Sequence, residues 1–264
     1  MADLIALRTS VLDIACERSG PANATPAVLL HGFPYDPRGY DDVVALLNEA
    51  GFQTFVPYLR GYGPTRFLSP DTPRSGEQAA LGHDLLELLD ALKLPRAVLA
   101  GFDWGGRAAC IVSALWPERV IGLVTCGGYT IQNNAVALQP AAPEQELRYW
   151  YQYYFHTERG RNGLTENRRA LCRLLWSLWS PTWSFDDATF ERTARSFDNS
   201  DFVDVVRHSY MHRTKSAPGD PRYAPIEAQL AKQPIIRVPT ITLHGAVDGV
   251  TPVRGSESHA TYFS

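Results

Sequence analysis

The stretch Leu99-Ala100-Gly101-Phe102-Asp103-Trp104-Gly105-Gly106 decides how this chain folds. Just before it, Arg96-Ala97-Val98-Leu99-Ala100 is short and apolar and follows Pro95, which reads as a buried strand. Just after it, the apolar run from Ala108 to Trp116 reads as a helix stopped by Pro117. Gly101 and Gly105 flank Asp103 with one residue on either side. So tight a passage from strand to helix crowds the backbone, and glycine is the residue that tolerates it. The turn lifts Asp103 above the end of the sheet, at the N-terminus of the next helix. There the helix dipole and the free N–H groups favour a carboxylate over a carboxylic acid. The spacing is that of a Gly-x-nucleophile-x-Gly turn, with Asp103 in the reactive position.

Outward from this turn, strands and helices alternate. Ile5–Arg8 and Val11–Ala15 are strand-like, and Ser19–Asn23 is a turn. Ala27-Val28-Leu29-Leu30 is a buried strand running into His31-Gly32-Phe33-Pro34. Asp41–Ala50 is an amphipathic helix stopped by Gly51, and Thr54–Pro57 is the next strand, followed by Arg60-Gly61-Tyr62-Gly63. Glu77–Leu94 is a long helix with leucines at helical spacing, and Val120–Thr125 is another strand. Nearly every strand is continuously apolar, which predicts a mostly parallel sheet covered on both faces. In such an α/β sheet the functional groups belong at the carboxyl ends of the strands.

The pattern changes near Gly127. The chain becomes rich in arginine and aromatics, with helical segments only, up to Pro234. Thr240–Leu243 then resumes the strand pattern, followed by His244-Gly245-Ala246-Val247-Asp248 and a helical start at Glu257–Tyr262. The expected organisation is a core at 1–130, an inserted helical lid at 131–234 and a return to the core at 235–264.

The 264 residues are 45% hydrophobic and 20% charged, which suits a globular chain with one large core. A net charge of −3 argues against nucleic-acid and membrane-surface partners. No apolar run reaches membrane-spanning length and no signal peptide opens the chain, so a cytoplasmic location is expected. The four cysteines (Cys16, Cys110, Cys126, Cys172) form no CxxC pattern, and Cys110 and Cys126 are expected as reduced core residues. Neither a metal nor a cofactor is expected.

Together, His31-Gly32-Phe33-Pro34, Arg60-Gly61-Tyr62-Gly63 and Gly101–Gly106 resemble the α/β-hydrolase superfamily over essentially the whole chain. They are most similar to its aspartate-nucleophile branch, the epoxide hydrolases and haloalkane dehalogenases, where esterases carry serine instead. The resemblance implies that Asp103 attacks an sp3 carbon to form an alkyl-enzyme ester, which a histidine-activated water then hydrolyses. It implies an oxyanion hole built from the backbone N–H groups of Phe33 and Trp104. It implies Asp248, after a late strand, as the acid that orients the histidine, since Cys126–Gln132 contains no carboxylate. His31, Pro34, Trp104 and Tyr154 are expected at the substrate pocket, with His31 bracing the loop.

The two branches differ in their leaving group. An epoxide oxygen departs as a strongly basic alkoxide and needs a proton donor. Two lid tyrosines serve this in the family. Tyr151, in Tyr151-Gln152-Tyr153-Tyr154-Phe155, resembles the first, with Tyr153 and Tyr154 as alternatives in the same segment, and Tyr210, in His208-Ser209-Tyr210-Met211-His212-Arg213, the second. A halide needs only N–H donors, and many dehalogenases have asparagine where this chain has Phe33. The aspartate branch also includes fluoroacetate dehalogenases, which hold the substrate carboxylate with an arginine directly after the nucleophile. Here that residue is Trp104, and only Arg107 remains nearby. The favoured reading is an enzyme opening a small apolar epoxide, with aryl-bearing ones among the candidates, to a diol with water. The alternatives are a haloalkane dehalogenase and a non-catalytic small-molecule binding protein. Against turnover stands the base. None of the seven histidines (His31, His83, His156, His208, His212, His244, His259) stands where the family's base stands, and His259 is expected as a solvated surface residue.

Overall fold

A computed structural model describes residues 2–251 and 256–264, leaving aside the side chains of 256–258. Its centre is an eight-stranded sheet. The strands are β1 (Asp3–Arg8), β2 (Leu12–Ser19), β3 (Thr25–Leu30), β4 (Phe52–Pro57), β5 (Arg66–Phe67), β6 (Ala97–Phe102), β7 (Val120–Cys126) and β8 (Thr240–Leu243). Their order is β1-β2-β4-β3-β6-β7-β8, with β5 paired to β2. β1 and β2 form an antiparallel hairpin, and β2 meets β4 antiparallel. From β4 through β3, β6, β7 and β8 every pairing is parallel. The carboxyl ends of β3, β6, β7 and β8 therefore open on one side, and their loops share one rim.

The alternation within β3 shows why the strand is apolar throughout. Val28 and Leu30 enter the larger core, with α2 (Gln78–Ala91) and α3 (Asp103–Leu115). Ala27 and Leu29 point the other way, against α1 (Asp41–Glu49) through Val44 and Leu47. A strand buried on both faces has no solvent side to make polar. On the opposite flank β8 is the last strand among the described residues, with Ile241 60% and Leu243 48% exposed.

Between β7 and β8 the chain forms α4 (Pro143–Arg148), α5 (Trp150–His156), α6 (Glu158–Glu166), α7 (Arg168–Trp179), α8 (Asp187–Ala194), α9 (Phe202–Arg213) and α10 (Ala224–Leu230). Ser256–Tyr262 is a short 3-10 helix. None of the described helices is long and apolar enough to cross a membrane. Cys16, Cys110 and Cys172 are buried free thiols, whereas Cys126, expected in the core, is exposed at the end of β7.

Two buried polar devices hold the sheet's rim. Arg60 makes a two-pronged ion pair with Asp84 (2.6 Å on both prongs) and donates to the Ser75 carbonyl at 2.7 Å. Paired hydrogen bonds of this kind let the charges stay buried. His31 is fully buried under Tyr62, with ring centroids 4.8 Å apart. Its Nε2 accepts from Leu59 N–H at 3.1 Å, so the proton sits on Nδ1, which faces the Gly32 carbonyl at 3.2 Å. Burial holds the imidazole neutral and pushes its pKa down to about 4. The unfolded chain therefore binds a proton that the folded chain refuses, and stability is lost as pH falls from about 6.5 towards 4. For a shift of this size the loss is about 3 kcal/mol. Chemical unfolding of the protein beside His31→Gln across pH 7 to 4 should show the unsubstituted chain losing more stability by that amount. Parallel curves would mean that His31 is not the cause.

Candidate active site

The turn after β6 brings Asp103 to φ +49°, the left-handed region that a non-glycine residue enters only under constraint. The constraint is close packing. A Cβ on Gly105 would lie 2.0 Å from the Leu30 carbonyl oxygen, so α3 begins directly against the end of β3. A Cβ on Gly32 would lie 2.5 Å from Asp103 Cβ. The loop after β3 thus closes over the aspartate, and Phe33 N–H donates to Asp103 Oδ2 at 2.8 Å.

Asp103 is withdrawn from water, and desolvation raises its pKa above the usual aspartate value. Arg107 and hydrogen bonds from the Phe33 and Trp104 N–H groups pull it back down. The two N–H groups expected for an oxyanion hole therefore converge on this carboxylate. The side chains behind them are locked. Phe33 is buried among Trp104, Phe155, Trp179, Phe202 and Tyr210, with ring centroids 5.8–6.2 Å away. Three of those helices, α5, α7 and α9, lie far from Phe33 in sequence, so this ring ties the β3 loop to the helical segment.

Asp103 opens into a cavity of about 460 Å³ bounded by the loops after β3, β6, β7 and β8 and by α5, α7 and α9. Tyr151 and Tyr210 stand in its wall, their rings 5.4 Å apart and perpendicular. Both are buried, and desolvation raises both pKa values, that of Tyr151 to about 12 and that of Tyr210 well above the usual phenol value. Both are therefore neutral O–H groups at working pH. Gln152 Nε2 donates to the Tyr151 oxygen at 3.2 Å.

Asp248 also lines the cavity, at its exposed side. Its Oδ1 accepts from the N–H groups of Val250 (2.7 Å) and Thr251 (2.8 Å), so it braces its own loop. The histidine–carboxylate pairs among the described residues are His83–Glu87 and His212–Glu77, and neither involves Asp248.

Four residues expected at the pocket stand behind it. His31 is held beneath the β3 loop, as described above. The Pro34 carbonyl accepts from Trp176 Nε1 at 2.8 Å. The Trp104 indole is fully buried beside Phe33 and Tyr62, and its N–H has no partner among the described residues. Tyr154 turns its hydroxyl towards α6, where a Cβ on Gly163 would meet it at 2.0 Å. Conversely, His259 is not a solvated surface group. It lines the cavity, its Nδ1 is buried, and it lies with His244 against Gly128.

The wall also holds Arg213, to which sequence reasoning gave no part, and Arg107, which it set aside. A signal for Arg213 existed, since Tyr210 and Arg213 are three residues apart on one helix face. Outside the cavity, Glu77, His212 and Glu227 bring one ligand-type atom each to within 4.8 Å of one another. Glu77 Oε1 there already accepts from Ser75 (2.6 Å) and the Asp220 N–H (2.7 Å), which makes the cluster a clamp between the start of α2 and the helical segment.

The alpha/beta hydrolase fold family matches residues 25–263. Among curated proteins, Epoxide hydrolase 3 of Siraitia grosvenorii is 33% identical over 132 residues, which is 50% of this chain and 38% of that protein. An epoxide hydrolase of Caballeronia sordidicola is 37% identical over 97 residues, 36% of this chain and 29% of that protein. The matched stretches thus span well under half the length of these curated relatives. Among solved structures, one from Klebsiella pneumoniae subsp. pneumoniae, provisionally named an epoxide hydrolase, is 44% identical. It superposes with a TM-score of 0.97 over 99% of this chain and 86% of its own. A Pseudomonas aeruginosa structure at 18% identity and TM-score 0.78 shares the fold. The eight-stranded sheet, the strand–Asp103–helix turn and these matches lead to one conclusion: the chain belongs to the α/β-hydrolase fold family.

Proposed function

We propose that this chain opens epoxides to vicinal diols through an ester on Asp103, with residues 131–234 acting as a lid over the core formed by 1–130 and 235–264. The observation that carries the reading is one carboxylate gripped by the Phe33 and Trp104 N–H groups, facing a wall with two buried phenols. Asp103 Oδ2 is held by Phe33, which leaves Oδ1 to attack an epoxide carbon. As the new C–O bond forms, the ring C–O bond breaks, and the departing oxygen takes a proton from Tyr151 or Tyr210. An alkoxide is more basic than either phenolate, so the transfer runs downhill. Water then attacks the carbonyl carbon of the Asp103 ester. The oxyanion that develops lies where Phe33 and Trp104 already donate, so little reorganisation is needed. The ester bond breaks, the diol leaves, and the sum is epoxide plus water. Alkylation of Asp103 needs no base, whereas release of the diol does. Asp248 is the acid proposed to orient that base.

The placement of Trp104 favours an epoxide over a halide. Trp104 is not among the residues that line the cavity, its indole is fully buried, and Phe33 offers no side-chain donor.

Intact mass after exposure to styrene oxide, with diol followed in parallel, tests the reading. The chain should gain one styrene oxide mass, and Asp103→Asn should gain none. Diol without a lasting adduct would also support the reading and would make His259→Gln the next variant. Neither adduct nor diol from epoxides of this class would overturn it in favour of the dehalogenase and binding-protein readings. Tyr151→Phe and Tyr210→Phe should each slow adduct formation about tenfold, and the double variant about a thousandfold, within the usual range for proton transfer. Unchanged rates would remove the phenols from the mechanism. Because the attacking form is ionised, the alkylation rate should fall as pH drops, with a midpoint above the ordinary aspartate value of about 3.9. A midpoint at or below that value would contradict the environment assigned to Asp103.

A further inference from the structure

Two arginines meet inside the cavity, and neither touches the reacting atoms in the proposed mechanism, where Arg107 only helps to keep Asp103 ionised. Arg107 lies one helical turn after Asp103 on α3 and is only 7% exposed. Arg213 ends α9, three residues after Tyr210, and lies over that ring at 5.5 Å. With the Gln132 amide oxygen turned towards them, this one atom accepts from Arg107 Nη2 (3.2 Å) and from Arg213 Nε (2.5 Å) and Nη2. Arg107 Nε donates to the Thr130 carbonyl at 3.2 Å and Arg213 Nη1 to Gln152 Oε1 at 3.0 Å. Among the described residues neither guanidinium has a carboxylate oxygen within 4.0 Å, and Arg107 Nη1 makes no hydrogen bond.

Burying two like charges side by side is expensive unless an anion joins them. Desolvation and the neighbouring Arg213 lower the Arg107 pKa to about 10, a cost that Asp103 offsets only in part. Asp248, at the exposed side, is taken up by its own loop, and Glu227 is engaged behind the wall by Ala79 N–H and Gln78. This part of the cavity therefore carries two positive side chains, buried Arg107 and half-buried Arg213, and one negative one, Asp103. The surplus of one matches a monoanion, and planar guanidinium forks suit a carboxylate.

We infer that the substrate is an epoxide bearing a carboxylate, which Arg107 and Arg213 hold while Asp103 attacks the ring. The inference rests on the epoxide-opening reading for its ring but not for its anion. Holding the carboxylate fixes which end of the molecule faces Asp103 and Tyr210. A cavity of about 460 Å³ has room for an aryl group besides.

Calorimetric titration with phenylacetate and with phenylacetamide separates the anion from the epoxide chemistry. The acid should bind at least tenfold more tightly than the amide, and added salt should narrow the gap. Arg213→Gln, shown to be folded by its thermal unfolding, should bring the two within about threefold, and Arg213→Lys should recover part of the preference. Arg107→Gln should act in the same direction if it folds, and Arg213→Gln decides alone if it does not. Equal binding of acid and amide, or a preference that survives Arg213→Gln, overturns the inference. The two readings also fail separately. Styrene oxide adduct on Asp103 without preference for phenylacetate sinks the carboxylate subsite and leaves the epoxide reading standing. Preference for phenylacetate without any adduct does the reverse.

Discussion

The structure depends on how closely the first turn of α3 approaches the end of β3. Gly105 lies so near the Leu30 carbonyl, and Gly32 so near Asp103, that no side chain fits at either position. That contact holds Asp103 at positive φ and aims its carboxylate at the Phe33 and Trp104 N–H groups. A reactive carboxylate is thereby built from backbone geometry, which does not relax as a flexible side chain would.

The same loop organises the helices between β7 and β8. Phe33 sits in a cage of rings from α3, α5, α7 and α9, and the Pro34 carbonyl receives the Trp176 indole N–H. Replacing such a buried ring with alanine costs about 3–5 kcal/mol in general. Here the loss would fall on the oxyanion loop and the cavity roof together. Tyr210 belongs to this cage and Tyr151 packs on three of its rings, Phe155, Trp179 and Tyr210, so the phenols are positioned by the packing that positions Phe33.

Electrostatics then sets the chemistry. Desolvation raises the pKa values of Asp103, Tyr151 and Tyr210 and lowers that of Arg107. Asp103 is kept usable by donors and by cations. The phenols stay protonated, because the Gln152 donor to Tyr151 and the Arg213 charge near both rings offset their desolvation only in part. One dry cavity thus holds an acceptor of carbon and donors of protons, because their local partners differ.

What the sequence by itself determined is local. The Gly101–Gly106 spacing defines the turn, the apolar runs define the strands, and the period of the leucines defines α2, since each follows from residues within a few positions of one another. The Asp103 turn was legible for that reason, as was the helical character of the stretch between β7 and β8, whereas the pairing of the Phe33 and Trp104 N–H groups came from the family resemblance, since Phe33 lies 70 residues before Asp103. Which helix side chains face the cavity was decided only by tertiary packing. Tyr151 turns inward and Tyr154 outward although both lie on α5, because Phe155 packs against Phe33 and Tyr151 against Phe155, while Gly163 makes room for Tyr154. His31, Pro34 and Trp104 surround the loop rather than the pocket, for the ordering of that loop consumes them. Arg107, Arg213, His244 and His259 come from four separate segments. Their meeting depends on the register of the parallel strands and the seating of α9, and no spacing along the chain encodes that.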